Sequence, residues 1–457
     1  MSVPYALYAE NINMDSIVNY LAEDSLFQSK LNTDNDEISI SLDEFDNDLN
    51  IQSIPNLFAM ADYQSGKDYS MHVDGNSNIF LAGTYNSGRT DCNQTEYYDL
   101  GLECTNYSQD NNAMKVLKIN SDSIIKVFSD FTENHEYDVK EISSNSNGDI
   151  IVLCAISSEL YFYKLNNNLE LITKQNIGSH IHINDEFYEN RYPMTIDENN
   201  NIYVGMYHSN INNYILYKFS NNLEQIWLSE LESYLNNGNA FKISTIGENI
   251  YLFKGGWVFE IDKSTGNIIS SKQILKNGYQ FFSVGISDSS HYVLSQTAWN
   301  VSSQGDTIMG SYAYNPEFGG EVILKFDKNM NLIYSKSLGN NSTTLILSNV
   351  HDIVETDNNH IYICIKTISD GIISNGNIIS FNNQGPKAFM FDENGDFVEV
   401  FSTNTNPALC SFNYSQFRAT VGKDNNIYFH CKSTTGQLMN QGSILNLNGN
   451  DILIIKK

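Results

Sequence analysis

Two short segments of this 457-residue chain have side chains whose types and spacing could bind a metal. His180 and His182 alternate in SHIHINDE, so on an extended strand both imidazoles would point to one face. Asp185 and Glu186 follow directly, and zinc could use such a set. Histidines in a polar loop are more often ordinary surface residues. We therefore predict no metal site and keep His180 and His182 as the alternative.

The second segment is a turn rich in aspartate and asparagine. Asp392, Asn394 and Asp396 come closest to a calcium-binding loop, yet no glutamate follows at the spacing that such a loop requires. A plain turn is the favoured interpretation. The sequence also contains no G-x-S-x-G, no H-E-x-x-H and no P-loop, so we name no catalytic residue and no cofactor.

Aromatic and arginine side chains gather in long polar segments between apolar runs. Such side chains suit stacking on sugar rings or anchoring of a protein partner. The alternative for each of them is packing beneath its own loop. The candidate ligand-binding residues are Tyr97, Tyr98, Tyr107, Tyr188, Arg191, Trp299, Tyr312, Tyr314, Phe318, Tyr414 and Arg418.

The elements that must position these residues come from an internal repeat. An apolar run, an Asp/Asn-rich turn and a strand that reads N-I-Y-hydrophobic recur, each time followed by a second hairpin. Four strands per repeat, at roughly 40 to 60 residues, are typical of a β-propeller blade. The seven occurrences lie at 70–83, 140–155, 193–206, 241–254, 282–296, 351–365 and 418–431.

The chain ends after the third strand of its last repeat, and residues 57–63 look like a fourth strand without a third. We expect this early strand to complete the last blade and so remove open sheet edges. The predicted fold is an all-β, seven-bladed propeller of four-stranded blades over residues 51–457. Residues 1–50 are predicted to form a separate, partly helical docking segment.

Loop lengths predict which face binds. In antiparallel blades, the turns between first and second strands share a face with those between third and fourth strands, and all of these are short. The connections from second to third strands lie opposite. Long ones are expected at about 84–112, 297–320, 367–386 and 433–449, in neighbouring blades 1, 5, 6 and 7. Long loops are often functional, so we predict that this face binds.

One recurring motif reads D-x-x-G/N-N-I-Y-V, followed by K-F/I-D and then N-G/N-L-hydrophobic-x-S. This motif resembles the SBBP family of bacterial seven-bladed β-propeller repeats. The resemblance covers roughly residues 57–457 and implies a seven-bladed ring. The chain departs from that family in having few glycines around its strands, and blades 2 and 4 match poorly outside the central hairpin.

The N-terminal SVPYALYAE is similar to a segment of Bacteroidota surface proteins and phage tail-fibre-like proteins. This resemblance implies a virion, extracellular particle or cell-surface setting. We also expect a helix from about Ser16 to Leu31 with an apolar stripe that includes Ile17, Leu21 and Phe27. The stripe would pack on the propeller or dock to a structural partner in a larger assembly.

Charge and composition exclude some partners. The formal net charge of -28 repels nucleic-acid backbones. No apolar run is long enough to span a membrane, and the start lacks the features of a signal peptide. Cys92 and Cys104 flank a polar insertion and are candidates for a disulfide, although free thiols are the alternative.

Three functions remain open at this stage. The leading hypothesis is a non-catalytic recognition or scaffold module that binds a carbohydrate or a protein within a tail-fibre-like or surface assembly. The second is a propeller hydrolase or lyase, which should bring two or more carboxylates or histidines together near the ring axis. The third is a cargo or effector protein of an injection particle.

Overall fold

The computed structural model describes a set of strand-rich segments of the chain. They are residues 37–39, 50–54, 69–86, 112–120, 124–131, 135, 137–157, 159–179, 193–208, 213–231, 241–254, 257–273, 281–286, 290–297, 301–303, 306–308, 320–327, 329, 331–338, 350–356, 359–367, 371–374, 377–380, 385–402, 418–424, 426–432, 435–440, 443–448 and 452–456.

All regular elements of these segments are β-strands. In chain order the first are β1 (Glu37–Ser39), β2 (Asn50–Ile54), β3 (Tyr69–Val73), β4 (Ile79–Asn86), β5 (Asn112–Ile119), β6 (Ile124–Phe131), β7 (Tyr137–Ser144), β8 (Ile150–Ile156), β9 (Glu159–Leu165), β10 (Leu171–Ser179), β11 (Met194–Ile196) and β12 (Ile202–His208). The next are β13 (Asn213–Phe219), β14 (Gln225–Leu231), β15 (Phe241–Ile246), β16 (Asn249–Lys254), β17 (Trp257–Asp262), β18 (Ile268–Gln273), β19 (Phe281–Ile286), β20 (Ser290–Thr297), β21 (Val301–Ser303), β22 (Asp306–Ile308), β23 (Gly320–Asp327) and β24 (Leu332–Leu338). The last are β25 (Val350–Glu355), β26 (Ile361–Thr367), β27 (Gly371–Ser374), β28 (Asn377–Ser380), β29 (Gly385–Phe391), β30 (Phe397–Ser402), β31 (Arg418–Val421), β32 (Ile427–Lys432), β33 (Thr435–Asn440), β34 (Ser443–Asn448) and β35 (Ile452–Lys456).

The strands form antiparallel sheets of four that follow one pattern. Four sheets consist of consecutive strands, β3 to β6, β7 to β10, β11 to β14 and β15 to β18, and another has the order β25-β26-β29-β30. We number the sheets first to seventh by their first strands, which are β3, β7, β11, β15, β19, β25 and β31. The second strands are nearly all apolar. Every residue of β8 (Ile150–Ile156) is buried, as expected where both faces of a sheet are covered by neighbouring sheets.

The sheets are arranged around an axis. The first strands contact one another in the cyclic order β3, β7, β11, β15, β19, β25, β31 and back to β3. Apolar cores lie between successive sheets; for example, Phe80 and Met114 of one sheet pack with Val139 and Val152 of the next. Similar clusters join the following pairs of sheets. The fold is therefore a β-propeller with four-stranded antiparallel blades.

Two sheets depart from the regular blade, so the expectation of seven four-stranded blades is corrected to five regular ones. In the sheet that begins at β19, strands β19, β20, β23 and β24 are extended by β27, β28 and β1, giving seven strands. The last sheet, β31-β32-β35, receives its outer strand from β2 near the start of the chain.

This closure has the form predicted from the sequence but uses other residues. β2 pairs antiparallel with β35, with Ser53 opposite Leu453 and Asn50 opposite Lys456. Residues 57–63, which we expected to close the ring, lie outside the described residues. The same holds for the predicted helix Ser16–Leu31, and the division into residues 1–50 and 51–457 stays a prediction.

In the described part of the chain, no helix has the length and apolar character that a membrane span requires.

The Asp/Asn-rich turns share one hydrogen-bonding pattern. In the first turn, Asp74 Oδ1 accepts the backbone N–H groups of Asn76 and Asn78, both at 2.9 Å. The side-chain oxygen thereby satisfies two donors that tight turns leave unpaired. The same pattern recurs at Asn145, Asn166, Asp197, Ser220, Asp327 and Asp392.

The outer strands share a β-bulge that follows these turns. In the third sheet, Lys218 pairs with Trp227 and Phe219 with Gln225, so Ile226 has no residue opposite it. A bulge of this kind bends the edge of a sheet. In each of the six sheets with this shift, the bulged residue is an exposed aliphatic side chain: Ile125, Ile172, Ile226, Ile269, Ile333 or Val398.

Candidate functional site

The strand order separates a face of short turns from a face of long connections. We call them the turn face and the loop face. Ser70 of β3 contacts Glu141 of β7, and His72 contacts Ser144, so these neighbouring first strands run in the same direction. Turns between first and second strands therefore share one face, and connections from second to third strands share the other.

Connections on the loop face differ in length around the ring. In the second, third and fourth sheets they are only residues 157–158, 209–212 and 255–256. The long ones are 87–111, 298–319, 368–384 and 433–451, and they belong to the first, fifth, sixth and seventh sheets. Because these four sheets are neighbours in the cyclic order, the strand ends that the long connections join lie on one side of the loop face.

Three of the long connections contain β-hairpins. These are β21 with β22, β27 with β28, and β33 with β34. The hairpin of the sixth sheet reaches the outer strand of the fifth, where Ser374 of β27 pairs with Leu338 of β24. The loop face is therefore partly built of secondary structure, which the sequence patterns did not predict. An Asn-Gly step at 375–376 was the available signal.

Most of the candidate ligand-binding residues lie outside the described residues. Arg418 alone falls on a described strand, where it begins β31 opposite His430 of β32. Its assignment as a ligand-binding residue stays a prediction. The residues that lie outside are Tyr97, Tyr98, Tyr107, Tyr188, Arg191, Trp299, Tyr312, Tyr314, Phe318 and Tyr414, together with His180, His182, Cys92 and Cys104.

A described polar cluster joins β6 of the first sheet to β9 and β10 of the second sheet. Lys174 Nζ lies 2.8 Å from Asp130 Oδ2 and above the rings of Tyr161 and Tyr163, at 5.1 and 4.9 Å from their centroids. Burial tends to raise the pKa of Asp130, but the hydrogen bonds from Lys174 and Tyr163 outweigh it and hold that pKa below its usual value. The cluster fixes a cation between two aromatic rings, and its contacts are satisfied within the protein.

On the turn face, the side chains that resembled a calcium site have other partners. Asp392 Oδ1 accepts the N–H groups of Asn394 and Asp396 at 2.9 and 2.8 Å. This arrangement is that of a turn. Within the described residues, no group of three or more His, Cys, Asp or Glu side chains could hold a metal ion.

A second polar cluster lies where three first strands meet, and the sequence patterns did not identify it. His72 Nε2 is 2.7 Å from Ser144 Oγ, and Lys423 Nζ donates to Ser144 Oγ at 3.1 Å and to the Ser144 carbonyl at 2.9 Å. Beside them, Ser70 Oγ donates to Glu141 Oε1 at 2.6 Å. Each residue sits alone in a strand or turn pattern, so spacing gave no signal for the cluster.

The environment of this cluster keeps His72 neutral. Burial is the main cause that lowers the pKa of His72, to about 4; Lys423 adds to the effect, whereas Asp74 and Glu141 oppose it. Burial also lowers the pKa of Lys423, against the influence of Asp74. A neutral His72 can accept a hydrogen bond at Nε2 from the Ser144 hydroxyl, while Lys423 donates a hydrogen bond to the same oxygen.

The geometry of the cluster favours a structural role over catalysis. The cluster contains one histidine, His72, and one carboxylate, Glu141, whereas the enzyme hypothesis required two or more carboxylates or histidines together near the ring axis. Moreover, Ser144 is only 3% exposed, and Lys423 also holds the Ser144 main chain. Lys423, His72 and Ser144 come from the seventh, first and second sheets, respectively. The cluster therefore joins the sheets on both sides of the junction where the chain closes the ring.

Buried lysines join other pairs of sheets on the turn face. Lys164 Nζ donates to the carbonyl and side-chain oxygens of Asn221, both at 3.0 Å. Lys218 donates to the Lys263 carbonyl at 2.7 Å, and Lys325 donates to the Glu393 carbonyl at 3.1 Å. In each case, a lysine near the end of a third strand caps the turn of the following sheet. The recurring YK and LK pairs before these turns were the available signal.

Comparison with known proteins assigns no family and no function to this chain. No known protein-family profile matches the chain, and no curated protein matches it. Similar solved structures include the Pan2 WD40 domain of Neurospora crassa, at 8% identity and a TM-score of 0.43, covering 89% of this chain and 95% of that one. BamB from Moraxella catarrhalis is 10% identical with a TM-score of 0.42, covering 77% and 94%. A protein of unknown function from Bacteroides caccae is 13% identical with a TM-score of 0.35, covering 63% and 89%.

At these TM-scores the likenesses carry no functional argument. The candidate site is therefore identified from the sequence and structure of this chain alone. The turn face uses its polar groups internally, in turns and in lysine caps, whereas the loop face has the long connections. The loop face over the first, fifth, sixth and seventh sheets is the candidate functional site.

Proposed function

We propose that this protein is a non-catalytic recognition or scaffold propeller that binds a carbohydrate or protein partner on its loop face. One observation carries the proposal: all four long connections belong to neighbouring sheets and leave the ring on the same face. Aromatic side chains are dense in one of them, with Trp299, Tyr312 and Tyr314 in the connection 298–319. Aromatic anchors dominate the binding energy of many interfaces.

We also propose that the fifth and seventh sheets act as blades of the same ring, which then has seven. The unbroken cyclic contacts of the first strands support this count. The resemblance to SBBP-like repeats agrees with it. A ring of this size gives the loop face a broad platform on which four adjacent connections can meet one extended ligand.

The setting that we propose is a virion, an extracellular particle or a cell surface. The resemblance of SVPYALYAE to surface and tail-fibre-like proteins supports it, with residues 1–50 as the attachment to a structural partner. Replacing Leu21 and Phe27 by glutamate would place charge in the predicted apolar stripe. The propeller should keep its melting temperature while co-sedimentation with its native particle falls. Unchanged co-sedimentation would remove the docking role from this stripe.

The binding proposal is tested with a glycan array and three variants, Trp299→Ala, Tyr312→Ala and Tyr314→Ala. Loss of array binding by at least one variant, with an unchanged melting temperature, is the expected result. Asn168→Ala is the matched control, because Asn168 is exposed in a turn on the opposite face. Binding that survives all three changes would place the ligand elsewhere. An array without any signal would eliminate the carbohydrate and leave a protein ligand.

A further inference from the structure

The outer strands of several blades present edges that could accept another strand. β6, β10, β14, β18 and β30 each end their sheet in the described part of the chain. A sheet edge exposes backbone N–H and C=O groups that pair readily with an extended peptide. This chain already uses such pairing itself, since β2 adds to β35 and β27 adds to β24.

Most of these edges carry features that discourage pairing. β6 has the exposed Lys126 and β18 has Lys272. β10 has a second irregularity between Asn176 and Gly178, and Gly178 has φ of 129°. Charged residues and bulges are common means of protecting a sheet edge. β18 and β30, moreover, each precede a sheet whose long connection contains a hairpin, like the one that adds to β24.

The protection of β14 consists only of the bulge at its start and the acidic Glu230. The strand contains no lysine, arginine, proline or glycine. After the bulged Ile226, its residues from Trp227 to Leu231 pair without interruption with β13. The next sheet has only residues 255–256 between its second and third strands. From Trp227 to Leu231, the edge of β14 is thus regularly paired and lies next to a short connection.

The side chains of β14 indicate what would bind there. Trp227 is turned toward the next sheet, where its Nε1 donates to the Lys263 carbonyl at 3.2 Å. Leu228 and Glu230, two residues apart, share the opposite face; Leu228 is 46% exposed and Glu230 is also exposed. An added strand would meet an aliphatic surface at Leu228 and a negative charge at Glu230.

We propose that the edge of β14 binds an extended segment of a partner protein as a fifth strand. In that strand, an aliphatic side chain lies against Leu228 and a lysine or arginine lies opposite Glu230. Charge complementarity supports this occupant, because β14 has no basic residue, contains Glu230 and follows directly after Glu224, and the chain has a formal net charge of -28. A second copy of the chain would bring like charges together at this edge. The site is separate from the loop face and does not depend on the function proposed for it.

The test uses a fluorescein-labelled peptide of sequence TKTVTKT, which presents Lys, Val and Lys on one face in either strand direction. Fluorescence anisotropy at low salt should show binding to the wild-type protein. Leu228→Lys should weaken binding at least tenfold, because it replaces the aliphatic contact with the peptide's valine by a cation that lies beside the two lysines of the peptide. Ile269→Lys on β18 is the matched control, since Ile269 is an exposed bulge residue, 54% exposed, on another outer strand. Binding to that variant should stay within twofold of the wild type.

Two further measurements decide what binds. The peptide TETVTET should bind at least tenfold more weakly, and hydrogen exchange should show slower amide exchange in β14 when TKTVTKT is present. Absence of TKTVTKT binding, or equal binding by Leu228→Lys, would overturn the proposal. So would a dimer of the wild-type protein that Leu228→Lys dissociates, because the edge would then bind a second copy.

Discussion

His72 Nε2 lies 2.7 Å from the hydroxyl of Ser144 and thereby joins the first strands of two neighbouring sheets. Lys423 of the last sheet donates to the same hydroxyl at 3.1 Å. The chain closes its ring at this junction, since β2 completes the sheet that contains Lys423. The hydrogen bonds supplement the apolar contacts there, where Met71 and Val73 pack against Tyr428 and Ile454.

The stability of the protein should fall as the pH decreases from 7 to 5. His72 has a folded-state pKa of about 4 against 6.5 in the unfolded chain, so the unfolded state binds more protons between these values. The contribution of a neutral His72 to the free energy of unfolding is present above pH 6.5 and is lost as the pH falls toward 4. The expected loss between pH 7 and pH 5 is about 2 kcal/mol. Urea unfolding at the two pH values measures it.

His72→Gln is the matched variant, because glutamine offers a hydrogen-bonding side chain that does not titrate. Its stability should change less between pH 7 and pH 5 than that of the wild type. Asp74, Glu141 and Lys423 are present in both proteins and cancel in the comparison. Equal pH dependence of the two proteins would show that His72 is not the titrating group.

Strand closure can be tested with a disulfide between β2 and β35. Ser53 and Leu453 are directly opposite each other in an antiparallel pair, where Cα atoms are about 4.5 to 5.5 Å apart and a disulfide fits. Cys431 of β32 also lies opposite Leu453, so all variants are made in a Cys431→Ala background. In that background, the double variant Ser53→Cys/Leu453→Cys should gain about 2 to 4 kcal/mol when oxidised. The gain should disappear on reduction. Ser53→Cys alone is the control, and a double variant that fails to form the bond in the folded protein would argue against this register.

The turns and the strand that closes the last sheet show how much of the architecture the sequence predicts. The Asp/Asn-rich turns and the N-I-Y strands mark the blades because both depend on local residue preferences. The closing strand was assigned to 57–63 because NLFAMADY resembles an outer strand, whereas β2 has the sequence NIQSI. Pairing between distant segments depends on tertiary contacts that local patterns do not contain. For the same reason, the contact of His72 with Ser144 and the pairing of β27 with β24 were not predicted.

Gly266 should tolerate alanine poorly. Its φ of 76° is in the left-handed region, and an added Cβ would lie 2.8 Å from the Trp227 ring. We expect Gly266→Ala to lower the free energy of unfolding by about 2 to 4 kcal/mol, through backbone strain and displacement of the ring. Gly247→Ala is the control, because Gly247 has φ of 54° and no atom within 4 Å of an added Cβ. Its cost should be about 1 kcal/mol, and equal costs would show that Trp227 does not restrict residue 266.

The lysine caps predict energetic coupling between neighbouring sheets. Lys164 is 6% exposed, and its Nζ contacts both oxygens of Asn221 as well as Asp149 Oδ2 at 3.1 Å. Lys164→Met should destabilise the fold by about 1 to 3 kcal/mol, because it leaves Asp149 and the Asn221 carbonyl without this donor. In a double-mutant cycle with Asn221→Ala, the two changes should couple by about 0.5 to 1.5 kcal/mol, since each removes the same side-chain hydrogen bond. Lys242→Met, on the first strand of the fourth sheet, serves as a lysine control that should not couple to Asn221. Additive effects at Lys164 and Asn221 would show that the hydrogen bond to the Asn221 side chain does not couple the two sheets.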